Sequence, residues 1–250
     1  MHVLVPIKRV IDHNVKVRVK SDGSGVEITG VKMSINPFDE VAMEQAVRLK
    51  EQGLATKVTA IACGAAVAQD VLRVALAIGA DAAVLMDTGG TPLEPLGTAR
   101  LLRTFVASEG VDLVLCGKQD IDDDLGATGP MLAALLDWPQ AVSVSQLHID
   151  GPQLQVSCDS DCGTELLAMS LPAVLSVDLR LCDPRHITLP AMMRAKKATI
   201  TQVAAELDHS APATVRQLHV GEPPARPAGI KLDGLPALIE QLRALPVLQS

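Results

Sequence analysis

The residues best suited to bind a ligand lie at 117–130, a stretch that holds four carboxylates and three glycines. The mainly apolar run at 111–116 is typical of a buried parallel strand, and the leucines at 132, 135 and 136 recur at helical spacing. In an open α/β sheet, ligands bind in the crevice at the carboxyl ends of the strands, where a strand-to-helix loop lies. We therefore expect residues 117–130 to form a ligand-binding loop.

Two kinds of ligand suit this loop. Its carboxylates at 120 and 122–124 offer oxygen ligands to Mg²⁺, but adjacent acids cannot all point inward, and such runs are more often solvated turns. Residues 126–130 have small side chains at a helix start, so their N–H groups suit one phosphate, and Thr128 is placed to cap the helix. We assign no metal, while a phosphate site and a solvated acidic turn both stay open.

Other familiar site patterns are missing from the sequence. No glycine-rich phosphate loop of the dinucleotide or triphosphate kind occurs, and residues 1–22 contain no glycine. There is no Gly-x-Ser-x-Gly motif, and the six histidines are scattered. The five cysteines lack zinc-ligand spacing and predict reduced, mainly buried thiols. The sequence thus predicts a binding protein without catalytic residues of its own.

Composition narrows the class of protein. The chain has 48% hydrophobic residues and a net charge of −7, which predicts a globular core and argues against nucleic acid as a partner. No apolar stretch reaches the roughly 18 residues of a membrane span, and no cleavage site follows the N-terminus, so we expect no membrane insertion. The only aromatic residues apart from histidine are Phe38, Phe105 and Trp138, too few to grip a flavin ring unaided.

Strand and helix patterns alternate over the first two-thirds of the chain, which predicts βαβ units around a parallel sheet. The predicted strands are 3–7, 57–63, 81–86, 111–116 and 173–177, and the predicted helices are 36–53, 66–78 and 96–109. Asn36 is expected to cap the first helix, and residues 15–20 with 26–29 to form an exposed hairpin. Extended runs at 141–149, 152–158 and 164–170 predict antiparallel additions to the sheet.

Two later segments suggest contacts with other molecules. In residues 178–197, Leu189, Pro190, Met192 and Met193 are flanked by basic residues, which fits either a surface helix that packs these side chains inward or a docking loop. The Pro-rich piece at 221–229 and a short helix near 235–245 predict an arm that docks elsewhere.

Several motifs then give the chain a family resemblance. They are residues 8–12 with 15–20, residues 36–40, residues 75–81, the loop 117–129, residues 136–139 and the signature 178–197. Over nearly its whole length the chain resembles the β subunits of electron transfer flavoproteins. The resemblance implies a Rossmann-like α/β fold of the adenine nucleotide α-hydrolase-like type, with a buried, structural AMP and an FAD held mainly by a partner α subunit.

The resemblance also places the nucleotide. By position the AMP contacts would be Pro6, Asn36, Pro37, Phe38, Asp39, Cys63, Gly117, Lys118, Gln119, Asp120, Ile121, Asp122, Asp123, Asp124, Leu125, Gly126, Ala127 and Thr128. Three positions depart from the family pattern: Pro6 replaces an alanine, His13 a tyrosine near the partner's FAD, and Ala191 an asparagine. His13 would therefore place a titrating imidazole at the edge of the flavin site.

In function the resemblance implies an electron carrier in the bacterial cytoplasm or the mitochondrial matrix. Electrons would come from acyl-CoA and related dehydrogenases and pass to a membrane quinone oxidoreductase. Residues 183–197 would be the recognition loop, anchored at Leu189, and Glu165 matches a glutamate near a hinge. Residues 1–220 would be the AMP-binding domain, and residues 221–250 a Pro-rich linker and a helix that docks on the α subunit.

Three alternatives remain. In the bifurcating branch of the family a second FAD replaces AMP, although residues 10–12, 122–124 and 189–190 follow the AMP-binding pattern. A nucleotide-hydrolysing or adenylating enzyme of the same superfamily would turn over ATP, and the glycine-free first loop argues against it. An assembly subunit with an empty pocket would hold no nucleotide.

Overall fold

The computed structural model describes residues 1–206 and 215–246, and from residue 37 to residue 150 helices and strands alternate as predicted. The strands are β1 (His2–Pro6), β2 (Arg9–Ile11), β3 (Met33–Ile35), β4 (Lys57–Gly64), β5 (Ala82–Asp87), β6 (Leu113–Gly117), β7 (Gln140–Asp150), β8 (Gln153–Ser160), β9 (Gly163–Ser170), β10 (Ala173–Val177) and β11 (Thr201–Ala204). The helices are α1 (Pro37–Glu51), α2 (Gln69–Ile78), α3 (Pro95–Glu109), α4 (Thr128–Leu136), α5 (Leu189–Lys197) and α6 (Leu235–Arg243), and a 3₁₀ turn at Ala66–Ala68 leads into α2.

Nine strands form one sheet, in the order β11-β5-β4-β1-β6-β10-β7-β8-β9. The strands from β11 to β7 pair in parallel, and β8 and β9 extend the sheet in antiparallel pairing. The predicted α/β fold, a mostly parallel sheet with antiparallel additions, is confirmed. Since the chain runs outward from β1 through β4 to β5 and the other way from β6 to β10, the crevice for a ligand opens where β1 and β6 end side by side.

The core consists of two apolar layers, one on each face of the sheet. Along β1 the buried side chains alternate: Val3 and Val5 belong to one layer and Leu4 to the other. Helices α1 and α2 cover the first face, and α3 and α4 cover the second. The central strands are thus buried on both sides, which explains their continuous apolar sequence.

One local prediction needs correction, and three short strands were missed. Residues 15–29 do not form a regular hairpin, because only one bridge, between Val19 and Val26, links the two runs. The short strands β2 and β3, which pair with each other, and β11, at the edge of the main sheet, were not predicted. Each of these strands has only three or four residues, too few for periodicity to reveal.

The chain divides into two compact units. One comprises residues 1–17 and 27–217, and the other residues 18–26 and 218–250. In the second unit the N–H of Val220 donates to the carbonyl of Gly23 at 2.9 Å, and α6 has no buried residue. The predicted division at residue 220 stays a prediction. In the described ranges, no helix combines the length and the apolar character that a membrane crossing requires.

Candidate functional site

A cleft of about 410 Å³ lies at the carboxyl ends of β1, β4 and β6. This volume falls within the range of roughly 300–1,000 Å³ that small-molecule sites occupy. The predicted residues in its wall are Pro6, Asp39, Cys63, Gly117, Asp120, Asp123 and Thr128. The other predicted contacts, Asn36, Pro37, Phe38, Lys118, Gln119, Ile121, Asp122, Asp124, Leu125, Gly126 and Ala127, belong to the same turns but lie outside that wall.

Asp39 is a buried carboxylate in the cleft wall. It accepts hydrogen bonds from the N–H of Lys8, at 2.8 Å, and from the N–H of Gly117. Burial raises the pKa of Asp39 to about 7, opposed by the Lys8 N–H bond and reinforced by the charge of Asp120. Near neutral pH this carboxyl can therefore both accept and donate a hydrogen bond to a ligand.

Gly117 allows this close approach. A Cβ at position 117 would overlap Asp39 Oδ1 and would lie 2.8 Å from the Cβ of Phe38. The glycine is thus required by the packing of β6 against the start of α1.

The acidic loop is organised around Lys8, which the sequence analysis did not single out. Its Nζ lies 3.1 Å from Asp120, 2.8 Å from Asp122 and 2.7 Å from Asp123. Burial lowers the pKa of Lys8, but its bonds to Asp122 and Asp123 outweigh this and raise it. One oxygen from each of these three carboxylates lies within 4.8 Å of the others, the arrangement a cation requires, and the lysine ammonium supplies that cation.

Asn36 does not cap α1 as predicted. It stands before Pro37, but its fully buried side chain makes no cap bond. Its Nδ2 instead donates to the carbonyl of Gln119 at 2.9 Å, and its Oδ1 accepts from the N–H of Ile121 at 3.3 Å. Asn36 therefore holds the acidic loop against the start of α1.

Thr128 likewise does not cap α4, because it is the first helical residue and Ala127 takes the cap position. Ala127 makes no side-chain cap bond, so the first N–H groups of α4 have no side-chain partner from the cap position, and Thr128, the first residue of that turn, lines the cleft. Gly129 permits this placement, since a Cβ there would overlap the hydroxyl of Ser176. A helix start of this kind is suited to a phosphate.

Other cleft residues were missed by sequence reasoning. They are Ile7, Lys8, Arg9, Gly64, Ala65, Ala68, Thr91 and Thr98, among others. Most lie just after β1, β4 or β5. Because ligands in open α/β sheets bind at the carboxyl ends of the strands, the position of these residues after predicted strands could have indicated them. Arg9 is held by an ion pair of 2.7 Å with Asp70.

The thiols do not offer a nucleophile to the cleft. All five cysteines are free, and Cys63 lines the cleft, where burial raises the pKa of its thiol to about 12. Burial also raises the pKa of Cys116, which lines the same cleft. Both sulfurs are thus protonated and unreactive at neutral pH.

His13 and Glu165 lie away from the cleft wall. His13 is exposed, and its Nε2 is 3.1 Å from the Asn14 amide. Glu165 is an exposed residue of β9, paired with Cys158 of β8. Their predicted roles, at the flavin edge and near a hinge, stay predictions.

The segment with the apolar anchor is the helix α5. Leu189 is 76% exposed and Met193 49% exposed, Pro190 is exposed, and Met192 is half-buried. The alternative in which Leu189 and Met193 pack inward is therefore wrong, since Ala195 is the buried residue of α5. A docking role for the exposed side chains stays a prediction.

Comparisons with known proteins agree over most of the chain. Residues 25–208 match the family model described as electron transfer flavoprotein domain. The chain is 46% identical to the electron transfer flavoprotein subunit beta of Bradyrhizobium diazoefficiens, over 97% of this chain and 98% of that protein. It is 45% identical to the human protein of that name, over 98% of both chains. It is also 46% identical to the rice protein called electron transfer flavoprotein subunit beta, mitochondrial, over 97% of this chain and 98% of that protein. The chain therefore belongs to the β subunits of the electron transfer flavoprotein family.

Proposed function

We propose that this subunit forms a heterodimer that takes electrons from acyl-CoA and related dehydrogenases onto FAD and passes them, one at a time, to a membrane quinone oxidoreductase. Its family supports an electron-transfer subunit, and the subunit name of its relatives implies an α partner. The heterodimer would work in the bacterial cytoplasm or in the mitochondrial matrix. In this proposal the chain supplies a scaffold, a nucleotide and a docking surface.

The exposure of Leu189 at the start of α5 carries the docking part of the proposal. An apolar side chain this exposed, next to Met193 and the basic Arg194, Lys196 and Lys197, suits a small anchor with a charged rim. A small contact of this kind fits the weak, rapid encounters of electron carriers with several partners.

The cleft suits AMP as a structural nucleotide. The uncapped first turn of α4 can receive one phosphate, and Lys8 already neutralises much of the acidic loop, which lowers the repulsion that a phosphate would meet. Asp39 supplies a buried hydrogen-bonding group to the same cleft. A monophosphate also agrees with the lack of a triphosphate loop in the sequence.

FAD would be held mainly by the α subunit. Phe38 is buried, and Phe105 and Trp138 pack against the core, so none of them offers a free ring face to a flavin. FAD would supply the redox chemistry, and the present chain would contribute His13 near its edge.

Two apolar surfaces suit contact with that partner. The edge strand β9 exposes Leu166, whose side chain is 82% exposed, and proteins usually cover such edges. Separately, α6 exposes Leu235, Leu238 and Ile239. We propose that the α subunit covers each of these surfaces.

The docking claim is tested with Leu189→Ala in the heterodimer. We expect the dehydrogenase concentration that gives half-maximal flavin reduction to rise about tenfold, as when an interface anchor is truncated. FAD content should stay unchanged, because Leu189 contributes little to the core. Leu96→Ala is the control, since Leu96 is an exposed leucine on α3, a helix of the other layer. An unchanged half-maximal concentration for Leu189→Ala would refute the docking claim.

A further inference from the structure

We infer that Arg73 on α2 is a positioning residue for α5, which it holds so that Leu189 is presented in one orientation. This inference rests on the proposed docking role of α5. It concerns a residue far in sequence from the anchor.

The guanidinium of Arg73 caps the carboxyl end of α5. Its Nη1 lies 2.8 Å from the carbonyl oxygen of Ala195, 3.0 Å from that of Lys196 and 3.3 Å from that of Ala198. The last carbonyls of a helix have no partner within it, and a cation there also opposes the negative end of the helix dipole. Because Arg73 belongs to another helix, its bonds fix the place of α5 as well as its end.

The segment that leads into α5 is held by a second polar group. Arg185 donates from Nε and Nη2 to Glu44 at 2.7 and 3.1 Å, and from Nη1 and Nη2 to Glu51 at 2.7 and 3.0 Å. Glu44 is only 2% exposed, and Arg48 completes its bonding at 2.7 Å. Arg48 also donates to the carbonyl of Asp183 at 2.7 Å, which ties the approach to α5 onto α1.

The helix α5 also has contacts of its own. It is nine residues long and lies against α2, its buried residue is the small Ala195, and Thr188 caps its start by accepting from the N–H of Ala191 at 3.3 Å. A helix this short is marginal in water without tertiary contacts. The bonds of Arg73 to the carbonyls of Ala195 and Lys196 therefore contribute to holding its last turn in one position.

A fixed α5 would lower the entropy lost when a partner binds to Leu189, since the anchor is already oriented. Removal of Arg73 should let the last turn of α5 fray and leave the anchor less ordered. Arg73 is more suitable for a test than Glu44. The loss of Glu44 would leave Arg185 and Arg48 without this buried carboxylate and destabilise the fold.

The experiment compares Arg73→Met and Arg73→Lys in the FAD-loaded heterodimer, with Arg103→Met on the exposed face of α3 as control. We expect Arg73→Met to raise the dehydrogenase concentration for half-maximal flavin reduction about fivefold, the effect of one typical net hydrogen bond. The maximal rate, reduction by dithionite and FAD content should not change. Arg73→Lys should restore part of the loss, because its ammonium also donates to carbonyl oxygens.

Two further measurements separate positioning from general stability. Amide hydrogen exchange in Arg73→Met should quicken at residues 191–198, with the central strands unaffected. Addition of Arg73→Met to Leu189→Ala should cause little further loss, because both changes act on one contact.

The outcomes are distinct. If Leu189→Ala weakens docking while Arg73→Met changes neither docking nor exchange, the inference fails and the proposed function stands. If Leu189→Ala itself has no effect on docking, the proposed docking function is refuted, and the inference about Arg73, which rests on it, is refuted with it. Loss of FAD or of the heterodimer in Arg73→Lys would assign Arg73 to folding and overturn the inference.

Discussion

Asp39 and Gly117 form the tightest part of the cleft wall. The carboxylate is buried against the backbone of Gly117 and accepts the N–H of Lys8 at 2.8 Å. A charged carboxylate is costly in such a place, which is why the pKa of Asp39 rises. The same contact that shapes the cleft wall thus makes the charge of Asp39 sensitive to pH.

Gly117→Ala should destabilise the subunit. Its Cβ would overlap Asp39 Oδ1 and meet backbone as well as side chain, so relief requires movement of α1. We expect a loss of about 1–3 kcal/mol in the free energy of unfolding, measured by urea denaturation of the heterodimer. Gly64→Ala is the matched control in the same cleft, because a Cβ there meets nothing within 4 Å. Equal stability of the two variants would contradict the close contact.

Asp39 should also make stability depend on pH. Its pKa is about 7 when folded and 3.8 as the ordinary value, so the folded state binds the proton more tightly. The contribution of Asp39 to stability is therefore present below pH 3.8 and is lost as the pH rises to 7. Relative to Asp39→Asn, the nucleotide-free wild type should lose on the order of 4 kcal/mol across that window in urea unfolding. A difference that stayed constant with pH would show that Asp39 is ionised throughout.

Residue types predicted part of this site. The glycines and acids of 117–130 were expected at the ligand from their types, and the turn at 36–39 from the family resemblance. Asp39, Gly117 and Thr128 do line one cleft. The sequence did not reveal Lys8 as the cation among the aspartates, because it lies 112 residues from Asp120. Nor did it reveal that Asn36 bonds to the acidic loop, since local patterns favour the capping role that Asn36 does not take.

At the scale of elements, the acidic loop and α5 are both short segments held by polar contacts. The loop is folded onto Lys8 and Asn36, whereas α5 is held by Arg73 and the bonds of Arg185. The loop has no apolar periodicity, and in α5 the apolar side chains at helical spacing include Leu189 and Met193, which are exposed instead of facing the core. This explains why the parallel strands could be predicted from their sequence, whereas the position of α5 and the role of the acids could not.

Lys8→Met tests the internal cation of the acidic loop. Three carboxylates would then converge without a positive charge, and the variant should lose about 1 kcal/mol, the scale of partly exposed ion pairs. Mg²⁺ should restore part of this loss in the variant and have little effect on the wild type. Lys118→Met serves as control, because its ammonium pairs with Asp178 outside this cluster. An Mg²⁺ effect of the same size in the wild type would contradict the role of Lys8.

In the molecule as a whole, the cleft and the exposed Leu189 lie at separate places. The cleft lies at the ends of β1, β4 and β6, while Leu189 begins α5, which lies against α2. Three of the four acids in the loop at 117–130 surround Lys8. A structural nucleotide in the cleft and electron delivery at α5 can therefore be tested independently.

The central claim, a structural AMP beside an electron-carrying FAD, is tested most directly by the nucleotides that the purified heterodimer releases on denaturation. Mass spectrometry should find AMP and FAD in equal amounts, because each subunit pair would hold one of each. Two FAD per heterodimer and no AMP would indicate the bifurcating branch instead. FAD alone would mean an empty scaffold cleft, and either result would contradict the account.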